Sequence, residues 1–287
     1  QSRRAMAADV PVSDSDGTLD IGRLAKGLAP ALLTVAAALY SLLAVCRADQ
    51  STATEAEWKT IASHVREART AEELIVFAPA WIDPIGREYL GDQMTIAMAA
   101  RMDAARFSGI WEVGLNGERA PETSGLSADT TLHAGPLTLR HYSQEPVVVT
   151  YDFTAQWRDG KASGPMQGRP TLSLEEVGFE PHECVKVIPR PDQTVVIAFS
   201  QVPLGTKIVG FVGLADVFTR RDVRDPGRLT LLVDGEVRTT VTSGIDSGWK
   251  RFEAATTHGI HDVEFRLTAV GPNARDRRIC FAAEARP

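Results

Sequence analysis

The feature that most constrains this chain is a run of 20 residues without a charged side chain, from Gly27 to Cys46. About 20 helical residues, rising roughly 1.5 Å each, span the roughly 30 Å hydrocarbon layer of a bilayer. Pro30 lies in the first turn of such a helix, where a missing N–H costs little. The run therefore predicts a single N-terminal transmembrane helix over residues 27–46, which follows a polar tail over residues 1–26.

Three other interpretations of this run stay open. A buried core helix is one, although such a helix rarely lacks charge over this length. A cleaved signal peptide is the second, and a lipoprotein signal is the third, because Leu43-Ala44-Val45-Cys46 resembles a lipobox. Val45 departs from that motif, which has a small residue directly before the cysteine. We expect a retained single-pass anchor that contacts the lipid bilayer.

Charge and composition exclude some classes of partner. The 287 residues include 31 Lys and Arg against 37 Asp and Glu, which gives a net charge of −6. A nucleic-acid-binding surface needs clustered Lys and Arg to neutralise phosphates, so we expect no nucleic-acid partner. Basic residues flank both ends of the predicted span, and their distribution does not decide its orientation.

A small α/β unit is predicted over residues 50–120. Thr54 and Glu57 have the spacing of a capping box, and the apolar residues that follow recur at helical intervals, which predicts a helix over residues 55–70. A wholly apolar strand comes next, as is typical of a strand buried on both faces in a parallel sheet. This strand, a second helix and a second strand are predicted at Leu74–Ala78, Thr95–Phe107 and Ile110–Leu115.

Residues 136–287 show the pattern of an antiparallel β-sandwich. The clearest signal is a hairpin in which Asp234-Gly235 supplies the turn between Leu229–Val233 and Glu236–Val241. Many short strands separated by turns favour a sandwich. The predicted fold class is α+β: a transmembrane helix, a small α/β unit and a C-terminal, jelly-roll-like sandwich. The other strands are predicted at Leu137–Tyr142, Val147–Phe153, Val185–Ile188, Thr194–Phe199, Lys207–Leu214, Asp262–Leu267 and Ile279–Glu284.

Five short stretches of the last third share a rhythm of apolar strands and tight turns. They are Val202-Pro203-Leu204-Gly205, Leu231-Leu232-Val233-Asp234-Gly235, Gly248-Trp249-Lys250, Val263-Glu264-Phe265-Arg266 and Cys280-Phe281. With this rhythm, residues 195–287 resemble the galactose-binding-like jelly rolls, a class that includes many carbohydrate-binding modules. The resemblance implies that one sandwich face, or the loops at one end, binds a glycan. It assigns no ligand residue.

Two of the three cysteines lie in the β-rich part of the chain. Cys184 and Cys280 suffice for one disulfide, which an oxidising compartment would preserve. The alternative is a pair of buried free thiols. Because of these cysteines and the β-rich character, we expect the bulk of the chain to be periplasmic or extracellular.

A candidate ligand site follows the first predicted strand. Ligands often bind where strands of α/β units end at their carboxyl side. Trp81, Asp83 and Arg87 offer a stacking surface, a hydrogen-bond acceptor and a clamp for a carboxylate or phosphate. The alternative is that all three have local structural roles.

Metal and cofactor chemistry finds little support. The pairs His258/His261 and His182/Cys184 lack a third ligand at metal spacing, and the aspartates at 216, 222 and 225 are interleaved with arginines. Phosphate-loop, dinucleotide-binding, Gly-x-Ser-x-Gly and His-Glu-x-x-His motifs do not occur in the sequence. We expect no metal and no cofactor.

Three hypotheses of function follow from these features. The leading one is a non-enzymatic scaffold or accessory subunit of a larger membrane complex (respiratory, photosynthetic or envelope-building), with other membrane-protein subunits as partners. The second is a membrane-anchored carbohydrate-binding module, which predicts exposed aromatic side chains such as Trp157 or Trp249 on one sandwich face. The third is a glycosyltransferase-associated enzyme domain that uses the loop containing Asp83 and Arg87.

Overall fold

The computed structural model describes residues 33–42, 52–178, 180–215, 225–272 and 277–287. The chain divides into two units between Thr52 and Ala53. In the first unit, residues 33–42 form helix α1, whose side chains are exposed. The rest of the predicted span lies outside the described residues. Among the residues that are described, no helix is both long enough and apolar enough to cross a membrane.

The described residues of the second unit include three further α-helices. The first of them begins with the predicted capping box: the Thr54 side chain accepts a hydrogen bond from the Glu57 N–H, and the Glu57 carboxylate accepts one from the Thr54 N–H at 2.7 Å. This reciprocal pair satisfies two donors that a helix start otherwise leaves free. The helices are α2 (Glu55–Ala68), α3 (Asp83–Leu90) and α4 (Ile96–Ala99).

The strands that the structure describes in the second unit form three sheets. In chain order they are β1 (Glu73–Ala78), β2 (Gly109–Leu115), β3 (Thr130–Ala134), β4 (Leu137–Ser143), β5 (Tyr151–Asp152), β6 (Lys161–Ser163), β7 (Thr171–Val177), β8 (Glu180–Val187), β9 (Thr194–Leu204), β10 (Lys207–Ala215), β11 (Gly227–Val233), β12 (Glu236–Ser243), β13 (Lys250–Ala255), β14 (Gly259–Ala269) and β15 (Arg278–Arg286).

The first sheet has the strand order β1-β2-β4-β3. Strands β1 and β2 pair in parallel and every residue of both is buried, as the apolar sequence of β1 predicts. Helices α2 and α3 cover one face, where Trp58, Ile61 and Val65 pack against Ile75 and Phe77. Strand β4 pairs with β2 in this sheet, so its prediction as a sandwich strand is wrong.

The predicted helix over Thr95–Phe107 is also wrong, because only the four residues of α4 are helical. Beyond it, tertiary hydrogen bonds use the carbonyl groups that a continuing helix would need. The Ala100 carbonyl accepts from the Glu183 N–H at 3.0 Å, and the Ala104 and Phe107 carbonyls both accept from the Gln144 side chain. Residues 100–107 therefore form an ordered, irregular loop.

The remaining strands form the predicted antiparallel β-sandwich. One sheet has the order β12-β11-β14-β9-β6, and the other has the order β13-β10-β15-β8-β7 with β5 added beside β15. The core between them is built around four phenylalanines: Phe153, Phe199 and Phe265 make edge contacts with one another, and Phe281 packs against Phe265 at an interplanar angle of 32°. The hairpin at Asp234-Gly235 is confirmed, whereas only Tyr151–Asp152 of the predicted strand over residues 147–153 forms.

The outer face of the sandwich sheet that contains β15 is covered. Along β15, Phe281, Ala283 and Ala285 face the core, so the alternating residues Ala282, Glu284 and Arg286 face outward; they are nevertheless almost fully buried. Loop 100–107 covers this outer face. The predicted disulfide joins Cys184 of β8 to Cys280 of β15, with a Cα–Cα distance of 5.5 Å.

Candidate binding groove

A groove lies where α4 and loop 100–107 meet the outer face of β15. Its volume is about 390 Å³, within the roughly 300–1,000 Å³ of typical small-molecule sites. We call it the junction groove, because residues of the four-stranded sheet's connections and of the sandwich both line it. The lining residues are Ile96, Ala97, Ala100, Arg101, Met102, Asp103, Arg106, Phe107, Asp152, Thr154, Leu174, Glu183, Ala282 and Glu284.

A continuous series of five charged side chains runs along one side of the groove, and four of them line it. Asp103 accepts from Arg286 at 3.0 Å, and Arg286 also contacts Glu284 at 2.9 Å. Glu284 in turn accepts from Arg106 Nε at 2.7 Å, and Arg106 Nη2 donates to Asp152. These ion pairs join loop 100–107 to β15 and β5, and so fix the loop on the sandwich.

Backbone donors hold the two aspartates at the ends of this series. One oxygen of Asp152 accepts from the N–H groups of Thr154 and Ala155, at 2.9 and 2.8 Å. Asp103 accepts from the Ala105 N–H at 3.0 Å. These are Asx-type turns, in which a short carboxylate side chain fixes its own loop. Both carboxylates are therefore oriented before any ligand arrives.

Burial and ion pairing act against each other on the pKa values of Glu284, Arg286 and Arg106. Burial raises the pKa of Glu284 above its ordinary value, and the charges of Arg286 and Arg106 offset only part of this effect. Burial by itself would lower the pKa of Arg286, but hydrogen bonds to Asp103 and Glu284 outweigh it and the pKa is raised. The same balance, with Asp152 and Glu284 as partners, raises the pKa of Arg106. Both guanidinium groups thus stay charged.

The other side of the groove is apolar. Ile96 is 76% exposed and Leu174 is 55% exposed, although both are large aliphatic side chains. Met102 and Phe107 add further apolar surface. A ligand with one polar and one apolar side finds hydrogen-bonding groups and apolar contact together here, which is the usual composition of a small-molecule site.

The predicted site residues after β1 lie elsewhere. Trp81 is 64% exposed, while Asp83 and Arg87 pair with each other along α3, with Arg87 Nε 2.5 Å from the Asp83 carboxylate. None of the three lines the junction groove. Their role in ligand binding, and the enzyme hypothesis that depends on it, stay predictions.

The two predicted sandwich tryptophans also lie apart from each other. Trp157 is partly buried against the sandwich core, and the Arg158 guanidinium lies 5.0 Å from its ring centre. Trp249 stacks between His182 and Phe211, with ring centres 4.4 and 5.9 Å away. The structure therefore brings none of the predicted aromatic residues together in one site.

The histidines and acidic residues weighed as metal ligands have other contacts. His261 bonds to Asp234 at 2.7 Å, and His182 bonds to the Arg101 carbonyl at 3.2 Å. Within the described ranges, no group of three or more His, Cys, Asp or Glu side chains is placed to hold a metal ion. Asp225 pairs with Arg277, and residues 216 and 222 lie outside those ranges.

Sequence reasoning missed every residue of the junction groove. One local signal was present: Glu284 and Arg286 are two residues apart at the end of a strand whose residues 279–283 are apolar, which places both on the same face. Two opposite charges on one face of a buried strand indicate a covered, hydrogen-bonded surface. The signal does not reveal that loop 100–107 is the cover.

No protein-family model matches the chain, and no curated protein matches it. Among solved structures it is similar to CBM51 from Clostridium perfringens GH95 in complex with methyl-galactose, at 13% identity over 44% of this chain and 92% of that chain, with a TM-score of 0.34. It is also similar to the K1 cleaved adhesin domain of Lys-gingipain from Porphyromonas gingivalis W83, at 12% identity over 44% and 91%, with a TM-score of 0.32.

A third similar structure is the CBM36-1 domain of a multidomain xylanase from the hindgut metagenome of Trinervitermes trinervoides. Here the identity is 15% over 44% of this chain and 97% of that chain, and the TM-score is 0.26. All three likenesses span less than half of this chain, and none assigns a ligand residue to it.

Proposed function

We propose that the chain is a non-catalytic glycan-binding module and that the junction groove is its ligand site. The observation that carries the proposal is the groove itself: a cavity of about 390 Å³ with fixed carboxylate and guanidinium groups on one side, and exposed aliphatic side chains with the partly buried Phe107 on the other. A sugar ring has the same two characters, hydroxyl groups at its edge and C–H groups on its face.

The fixed charged groups suit hydroxyl ligands. Carboxylate oxygens accept and guanidinium N–H groups donate, so adjacent hydroxyls find both kinds of partner. Asp152 and Asp103 are already oriented by backbone N–H groups, so binding costs little side-chain ordering. Phe107 and Met102 supply the apolar contact.

A groove-filling substitution tests the proposal. Ala97 is exposed on α4 and lines the groove without belonging to the series of charged side chains, so Ala97→Trp blocks the site and spares the ion pairs. On a glycan array, we expect the wild type to bind a defined set of glycans and Ala97→Trp to bind them at least about ten-fold more weakly. Ala56→Trp adds the same side chain to an exposed position of α2, outside the groove, and serves as the control.

Two results would contradict the proposal. One is a wild type that binds no glycan on the array. The other is equal binding by wild type and Ala97→Trp, which would move the ligand away from the groove.

We also propose that the module is tethered to a membrane and lies outside the cytoplasm. The uncharged run over residues 27–46 supports the tether, and the disulfide between Cys184 and Cys280 supports an oxidising compartment. Carbonate extraction of membranes and protease treatment of intact cells test the two parts. The groove favours glycan binding over the scaffold role, for which the described residues offer no comparable site.

A further inference from the structure

We infer that the junction groove accepts uncharged sugars and excludes sugars that carry a carboxylate. This inference rests on the proposed function and deepens it by naming the charge class of the ligand. Its first support is the balance of charge: four carboxylates line the groove, from Asp103, Asp152, Glu183 and Glu284, against the guanidinium groups of Arg101 and Arg106.

The two lining guanidinium groups are already engaged. Arg106 donates from Nε to Glu284 at 2.7 Å and from Nη2 to Asp152. Arg101 pairs with Glu122 and donates from Nη1 to the Met98 carbonyl at 2.9 Å. Recognition of a carboxylate by arginine uses two parallel N–H groups of one guanidinium fork, and each of these two guanidinium groups already bonds through two of its three nitrogens.

The nearest further cation is not available either. Arg286 lies on the same face of β15 as Glu284, but its side chain is only 5% exposed and is bonded to Asp103 and Glu284. Even with Arg286 counted, the carboxylates of the groove outnumber its guanidinium groups by four to three. A ligand carboxylate would therefore meet net negative charge, beside guanidinium groups that already bond to other acceptors.

Glu183 defines the exposed part of this negative charge. Its backbone N–H bonds to the Ala100 carbonyl at 3.0 Å, which fixes the residue beside loop 100–107, and its side chain is exposed at the rim of the groove. The other three lining carboxylates contact arginine, so Glu183 repels an arriving anion most directly.

Matched pairs of sugars test the inference on the full chain. Dissociation constants are measured by ligand-observed NMR for glucose against glucuronic acid and for galactose against galacturonic acid, at neutral pH and about 0.15 M salt. In at least one pair we expect the neutral sugar to bind about ten-fold or more tightly than its acid. Glu183→Gln should strengthen binding of the acid by about three- to ten-fold and leave the neutral sugar unchanged.

Glu176→Gln is the matched control, because Glu176 is an exposed glutamate on neighbouring β7 that does not line the groove. Equal or tighter binding of the acid, lost in Ala97→Trp, would overturn the inference and leave the proposed function standing. An acid-binding gain in Glu176→Gln equal to that in Glu183→Gln would also overturn it. Absence of binding by both members of both pairs would overturn the inference, whereas the proposed function is decided separately by the glycan array.

Discussion

His182 shows how a single buried side chain makes the stability of this protein depend on pH. It is 6% exposed, its ring stacks on Trp249, and its Nδ1 lies 3.2 Å from the Arg101 carbonyl. Burial lowers the pKa of His182 to about 4, because a charged ring would lose its hydration. In the unfolded chain its pKa returns to about 6.5. Between about pH 4 and pH 6.5, the unfolded chain therefore binds a proton at His182 that the folded protein does not bind.

We therefore expect stability to fall as pH decreases from about 6.5 towards about 4. From pH 7 to pH 4.5, His182 should lower the free energy of unfolding by about 2 to 3 kcal/mol, at about 1.4 kcal/mol for each pH unit below its unfolded pKa. Urea unfolding measures the free energy of unfolding at both pH values. The difference between wild type and His182→Gln in its change with pH gives the contribution of His182. The exposed His258 provides the control His258→Gln, which should retain the wild-type pH dependence. Parallel wild-type and His182→Gln curves would contradict the prediction.

Glu112 is a second residue whose contacts allow a specific prediction of how a substitution changes stability. It is fully buried and accepts from Arg140 at 2.7 Å, from the Ala120 N–H at 2.9 Å and from the Thr123 hydroxyl. Burial by itself would raise the pKa of Glu112, but these hydrogen bonds outweigh it and the pKa is lowered. The carboxylate thus holds the loop after β2 through its negative charge.

Glu112→Gln keeps the shape of the side chain and removes that charge. We expect the free energy of unfolding to fall by about 2 to 4 kcal/mol, because the Arg140 charge remains partly buried without its counterion. Chemical denaturation measures the change. Glu118→Gln, at an exposed position of the same loop, should change stability by less than about 0.5 kcal/mol. A loss in Glu118→Gln as large as in Glu112→Gln would refute the assignment.

At the scale of elements, local signals were sufficient for α2 and insufficient for α4. The start of α2 is determined by Thr54 and Glu57, whose contacts lie within four residues of chain. The end of α4 depends on partners far along the chain, since Ala100 bonds to Glu183. An amphipathic pattern over residues 95–107 cannot show such a competitor. In these two segments, helical periodicity predicted the helix correctly only where no distant strand formed hydrogen bonds with its backbone carbonyls.

The capping box of α2 makes a prediction at this scale. Thr54→Ala removes the acceptor for the Glu57 N–H, and we expect it to lower the free energy of unfolding by about 1 kcal/mol. Thr60→Ala is the control within the same helix, because Thr60 is exposed and bonds only to the Ala56 carbonyl one turn earlier. It should be neutral or slightly stabilising, given the higher helix propensity of alanine. Equal losses in both variants would show that the cap contributes nothing specific.

For the whole molecule, the sandwich could be predicted from the sequence, but the junction groove could not. The alternation of apolar and polar residues along the strands, and the Asp234-Gly235 turn, are local signals that can be read within a few residues of sequence. The groove combines Arg106, Asp152, Glu183 and Glu284, which come from four separate parts of the chain. Their proximity follows from how loop 100–107 packs on β15, and a single sequence carries no pairwise signal for that packing.

The disulfide belongs to this same scale, because it links strands 96 residues apart in the chain. Cross-linking removes loop-closure entropy from the unfolded state, and for a loop of this length the entropy model gives about 4 to 5 kcal/mol. We expect the double substitution Cys184→Ala and Cys280→Ala to lower the free energy of unfolding by about that amount. Guanidinium denaturation measures the change, and a reductant should lower the stability of the wild type while leaving the double variant unaffected. A double variant that unfolds at the wild-type denaturant concentration would mean that the unfolded chain is already compact around these strands, so that the link removes little of its freedom.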